Sequence, residues 1–182
     1  TLLNKYKYMK IYSTKFKGLK IIKIKKFSDL RGSVIKIFNQ NKKYSKFNCF
    51  ESYISFSKKG AVRGLHGQLG AHSQEKLIYC LKGKAIDLAV DMRAKSKTYG
   101  MIFKKNINSK NSTAILIPKG FVHGLLSLEK ETIVVNFCSK PYNPKKEFGI
   151  NFKSLNLKLP KMKFLISKKD KNLPTLSRIR IK

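Results

Sequence analysis

Lys76-Leu77-Ile78-Tyr79-Cys80-Leu81, then Lys82-Gly83-Lys84, then Ala85-Ile86-Asp87-Leu88-Ala89-Val90 is the stretch that decides the fold. Two apolar runs rich in β-formers flank a short Gly-containing turn, which is a hairpin signature. The same kind of segment recurs outward from it. Leu19–Ile24 and Val34–Phe38 mix Ile or Val with Lys, Ser52–Phe56 runs into a turn at Lys58–Gly60, Thr113–Ile117 stops at Pro118, and Thr132–Cys138 reads as another strand. Helical periodicity is hard to find before the C-terminal third, and short strands at this spacing predict an all-β sandwich or barrel. After Pro160 the chain is Lys-rich and weakly periodic, which predicts a short C-terminal helical or irregular segment packed on the barrel. Met9 reads as a natural start, so residues 1–9 are set aside as an N-terminal extension and 10–182 as a single domain.

Composition bounds what such a domain does. The chain has 182 residues, 42% of them hydrophobic, enough for one domain with a real core. No apolar run approaches the ~20 residues a membrane helix needs, and Thr1–Tyr8 lacks a signal-peptide core. Cys49, Cys80 and Cys138 show no metal or disulfide spacing, which suggests a reducing, cytoplasmic setting. The formal net charge of +32 raises nucleic acid or an anionic membrane first. Yet only five of the 41 basic residues are Arg, and the Lys are spread over the whole chain. Nucleic-acid readers use Arg for bidentate contacts, so neither nucleic acid nor membrane is the expected partner. The positive field still attracts an anionic substrate such as a nucleoside diphosphate.

The three histidines carry the chemistry. Each lies near a Gly or a turn: His66 in Val62-Arg63-Gly64-Leu65-His66-Gly67-Gln68, His123 in Pro118-Lys119-Gly120-Phe121-Val122-His123-Gly124, and His72 in the polar loop Gly70–Gln74. His66 with His123 could form a metal pair. Metal-binding cupins, however, place two His one residue apart, and Gln68 stands there instead. His72 reads as a hydrogen-bonded structural residue.

Six motifs then appear in order: Asp29-Leu30-Arg31-Gly32, Val62–His66, Gln74-Glu75-Lys76-Leu77, Asp87–Arg93, Ile117–Gly124 and Tyr142-Asn143-Pro144. Together they resemble the dTDP-4-dehydrorhamnose 3,5-epimerases and related sugar-nucleotide epimerases, from about Lys10 to about Leu176. The resemblance implies a cupin jelly roll (double-stranded β-helix), no metal, no cofactor and a homodimer. It implies a reaction at the acidic C–H groups flanking the carbonyl of a nucleotide-linked 4-keto sugar, in deoxysugar and polysaccharide biosynthesis. One group removes a proton and another returns one on the opposite face, while the enolate needs positive charge or hydrogen bonds near its oxygen. By resemblance His66 is the base and Asp170 the carboxylate that orients it, an alignment supported by Ser167 and Pro174. Lys76 serves the developing anion. Arg31 and Arg63 bind the diphosphate, and His123 and Gln68 line the substrate site.

Several positions depart from the family. Asn136 stands where the family has the tyrosine that donates the opposite-face proton, and an amide cannot do this at neutral pH. Glu51 replaces a glutamine that helps hold the nucleotide, Ser33 and Lys36 replace a Phe and a Glu, and Pro141-Tyr142 replaces a tyrosine pair. Tyr142 is therefore the expected substitute donor, with Asn136 and Glu51 kept as substrate contacts. Two other readings stay open: a sugar-nucleotide 3,4-ketoisomerase, and a sugar-nucleotide-binding cupin without turnover.

Overall fold

A computed structural model describes residues 9–38 and 47–179, so the expected extension over residues 1–9 lies, apart from Met9, outside the described residues. Two antiparallel sheets face each other. The larger orders β1 (Met9–Ser13), β2 (Lys20–Ile24), β10 (Thr113–Ile117), β7 (Lys76–Lys82), β12 (Thr132–Cys138) and β5 (Glu51–Ser57). The smaller orders β13 (Glu147–Gly149), β6 (Val62–Gln68), β11 (Phe121–Ser127), β8 (Lys84–Asp91) and β9 (Ile102–Asn108). A separate hairpin, β3 (Lys26–Asp29) with β4 (Gly32–Ile35), stands off the sandwich. This is the cupin jelly roll. The C-terminal segment is irregular apart from short 3-10 turns and one helical turn, α1 (Lys168–Lys171). Met9 pairs with Ile24 in the first strand.

The opening stretch forms two strands but not a hairpin. β7 pairs with β10 and β12, whereas β8 pairs with β11 and β9. Both runs are apolar on both faces: β8 is buried at every position from Ala85 to Asp91. Strands of that kind go into sheet interiors with partners on each side. The Lys82-Gly83-Lys84 turn is thus the corner where the chain leaves one sheet for the other. Gly83 has φ +75°, and a Cβ there would sit 2.3 Å from the Glu131 carbonyl oxygen, so the corner admits only glycine.

Alternation along each strand sorts side chains into layers. Between the sheets lie Ile78, Cys80, Ala85, Ala89, Ile115 and Val134, with Phe16 closing one end. The outer face of the smaller sheet is covered by the C-terminal segment, which brings Ile150, Phe152 and Leu155 onto Leu65, Leu88 and Val122. Each such buried Leu or Ile stabilises the fold by ~1.5–3 kcal/mol. β13 pairs with β6 only at residues 66–68. The rest of that β6 edge is filled by the C-terminal segment: Val62 donates its N–H to the Leu165 carbonyl (3.0 Å), and Leu165 donates to that of Gly60 (2.8 Å). This docking carries α1 to the flank of His66.

Candidate active site

At one end of the sandwich the two sheets part around a cavity of about 590 Å³. His66 and His123 are expected in Gly-rich turns. They lie instead within β6 and β11, as direct cross-strand partners, because the glycines beside them serve strand packing. A Cβ on Gly124 would sit 2.4 Å from the Arg63 carbonyl, and one on Gly149 2.4 Å from that of Leu65. Here glycine marks close backbone approach rather than chain reversal.

His66 and Asp170, 104 positions apart, meet at 2.7 Å from Nε2 to Oδ1. Asp170 is buried at 5% exposure, and its own N–H bonds the Ser167 hydroxyl that caps the helical turn. With the carboxylate accepting from Nε2–H, Nδ1 carries the lone pair that can take a proton. Glu147 Oε1 lies 3.6 Å from Nδ1 and is itself paired with Lys169. An imidazolium formed here therefore sits between two carboxylates. Sequence reasoning missed Glu147, which looks like one more surface charge beside Lys145 and Lys146.

A second histidine–carboxylate pair lies behind the first. Asp87 Oδ2 is 2.7 Å from His123 Nε2, Asp87 is fully buried, and its Oδ1 has no partner among the described residues. Both Nε2 atoms are thus taken by carboxylates, and among the described residues no three His, Cys, Asp or Glu side chains are grouped to hold a metal ion. Asp87 stood in a quoted motif, yet its role depended on burial that alternation alone did not reveal.

The larger sheet supplies the opposite wall. Lys76 and Asn136 reach the cavity from β7 and β12. Burial holds the Lys76 ammonium below the ordinary lysine value, while Cys138, Glu147 and Glu51 pull the other way. Arg63 lines the rim, its fork held by the Ser57 hydroxyl (2.9 Å) and the Phe56 carbonyl (2.6 Å). Gln68 and Glu51 border an adjoining cavity of about 240 Å³, where each holds the loop that follows β12. Gln68 Oε1 accepts the Asn143 N–H (3.1 Å) and Glu51 Oε2 that of Tyr142 (2.7 Å). Tyr142 lines this smaller cavity. His72 is hydrogen-bonded to Asn143 (3.2 Å), in the structural role its loop suggested.

Arg31 stands apart. It is 90% exposed on the β3–β4 hairpin, is bonded to Asp29, and does not line this cavity. Arg93, in the same set of motif arginines, uses its fork on Asp91 (2.7 and 2.8 Å) and lies over the Phe121 ring, which makes it part of the scaffold.

The fold and this end cavity, walled by a histidine–carboxylate pair, a buried lysine and a rim arginine, define a cupin with a polar, basic cavity between its sheets. The chain belongs to the dTDP-4-dehydrorhamnose 3,5-epimerase family, whose model matches residues 13–178. It is 35% identical over 170 residues to the dTDP-4-dehydrorhamnose 3,5-epimerase of Shigella flexneri, covering 90% of this chain and 94% of the relative. The dTDP-6-deoxy-D-glucose-3,5-epimerase of Legionella pneumophila, solved with dTDP-4-keto-L-rhamnose, superposes with a TM-score of 0.87 at 32% identity, covering 94% of each chain. A 3'-monoepimerase of Streptomyces bikiniensis, solved with dTDP-quinovose, gives 0.85 at 26% identity over 91% of this chain and 87% of its own.

Proposed function

We propose that the protein epimerises a nucleotide-linked 4-keto-6-deoxy sugar, dTDP-linked as in the names of its relatives, in deoxysugar and polysaccharide biosynthesis. The observation that carries this reading is the 2.7 Å His66–Asp170 bond on the wall of the larger cavity. His66 takes the proton next to the C4 carbonyl, and Asp170 holds the ring in the tautomer that can take it. Lys76 faces the enolate oxygen, where a cation in a low-dielectric site acts most strongly. Arg63 and the surrounding positive field hold the diphosphate. His123, Gln68, Glu51 and Asn136 shape the sugar and nucleotide sites. No cofactor is required, because the carbonyl itself acidifies the C–H bond. The three cysteines are free thiols, which suits a reducing cytoplasm.

Arg31 is too far out on its hairpin to serve its own cavity, so a diphosphate role for it requires a second copy of the chain, in a homodimer. Asn136 supports a narrower reading in which only one carbon is inverted. The test is incubation with dTDP-4-keto-6-deoxyglucose in D2O, read by NMR and mass. Deuterium is expected at C3, C5 or both, and His66→Asn is expected to abolish it. Tight binding of the sugar nucleotide with no deuterium uptake would replace the epimerase by a binding protein, and migration of the keto group to C3 would replace it by a ketoisomerase.

A further inference from the structure

Inversion needs an acid on the face of the sugar opposite His66. His66 projects from the smaller sheet, so that acid has to come from the larger one. The strand register shows what that wall offers. Ile78, Asn136 and Tyr53 form one row across β7, β12 and β5, and Lys76, Cys138 and Glu51 form the next row on the same face. Ile78 belongs to the core between the sheets, so this face of the larger sheet looks inward. Tyr53 accordingly lines both cavities, and its 42% exposure lies beside His66, which lines both as well. Directly paired residues stand only ~4.5–5.5 Å apart. A phenol at 53 therefore enters the space next to the small amide at 136.

Building on the epimerase reading, we propose that Tyr53 is the opposite-face proton donor, carried on β5 while Asn136 on β12 leaves it room. The other protic groups of that wall are committed elsewhere, Ser55 to the Val134 carbonyl at 3.4 Å. Lys76 faces the enolate oxygen. Cys138 is 1% exposed, its thiol pushed up to about 11 by burial. Glu51 holds the Tyr142 N–H. Tyr142 borders only the smaller of the two cavities described. Burial foremost, with Cys138, Glu51 and Glu147 adding and Arg63 opposing, pushes the Tyr53 phenol above the ordinary tyrosine value, so it carries its proton at neutral pH. In the step, the Oη–H bond breaks as the new C–H bond forms, and the enolate electrons that make this bond restore the C4 carbonyl. The phenolate regains its proton from water, and the His66 imidazolium returns the abstracted proton to water.

The experiment compares deuterium entry with inversion in D2O for dTDP-, GDP- and UDP-linked 4-keto-6-deoxyhexoses. Tyr53→Phe is expected to keep deuterium entry, because His66 can return a solvent-exchanged deuteron on its own face. Inversion should fall by ~10²–10⁴-fold. Adding Asn136→Tyr to Tyr53→Phe is expected to restore inversion, which a folding defect would not allow. The proposal is overturned if Tyr53→Phe inverts normally. It is equally overturned if exchange and inversion fall together and Asn136→Tyr restores neither, or if Tyr142→Phe is the change that separates the two. Wild-type protein that takes up no deuterium from any of these sugars would remove the epimerase reading itself, and this assignment with it.

Discussion

His66 and Asp170 illustrate how much one acceptor decides. An ionised carboxylate only accepts hydrogen bonds, so Asp170 can pair with His66 in one way, with the ring proton on Nε2. An asparagine there offers an amide donor as readily as an oxygen, and the donor stabilises the opposite tautomer. Asp170→Asn is therefore expected to cut solvent deuterium uptake by ~10²-fold or more, read by NMR on protein that still melts cooperatively. Uptake within a few-fold of wild type would mean that the carboxylate orients nothing. The sequence pointed to both members of this pair, to His66 through the Val62–His66 motif and to Asp170 only through the family resemblance, with Ser167 and Pro174 beside it. It gave no role to Glu147, nor to Asp87 although Asp87 opens the Asp87–Arg93 motif. Their roles depend on which face of a strand turns inward and on what packs behind it, and charged residues in a Lys-rich chain look solvated until the topology is known. Tyr53 escaped for a related reason: its partnership with Asn136 is a matter of register between strands, pairing positions 83 residues apart along the chain.

Strand positions were more legible than strand pairing. β2, β5, β7, β8, β10 and β12 follow the apolar runs read from the sequence. β6 and β11 did not, because their glycines resemble turn signals. The turn at Gly83 resembles a hairpin until both flanking runs prove to be buried on both faces. Gly83→Ala tests the corner: a left-handed φ of +75° and a backbone oxygen 2.3 Å from the added carbon cannot both be relieved by a rotamer change. Destabilisation of ~1–3 kcal/mol is expected in denaturant titration. The loop after β8 carries a pH-dependent element of its own. Burial alone would push the Asp91 carboxyl up, but hydrogen bonds from Arg93, Ser96 and Thr98 outweigh it and pull the group down to about 2. The folded value lies below the ~3.9 of an unfolded chain. The stabilisation is therefore fully present above pH ~4 and is lost as pH falls toward 2. Asp91→Asn should flatten the melting-temperature profile across that acid window, with little change in its slope near neutrality.

On the scale of the whole molecule two forces oppose each other. Both ends of the larger sheet are edges among the described residues, β1 and β5, and open edges invite pairing. β1 exposes Ile11 and Tyr12, and the projecting β3–β4 hairpin exposes Leu30 and Val34. Extension or exchange of strands around Lys10–Ile24 would cover such residues and carry Arg31 toward another copy's cavity. Against this stands the formal charge of +32 on every copy. Like charges repel over a Debye length that shrinks from ~30 Å at 0.01 M salt to ~8 Å at 0.15 M. Salt therefore acts with opposite signs on the two associations expected of this protein. Capture of a nucleoside diphosphate should weaken as salt rises, because attraction is screened. Self-association should tighten, because repulsion is screened while apolar contact is not. Sedimentation at micromolar concentration is expected to give twice the 20.9 kDa chain mass at 0.15 M salt, with dissociation favoured at 0.01 M. A chain that stays at 20.9 kDa at both salt concentrations would refute the dimer and leave Arg31 without a diphosphate to bind.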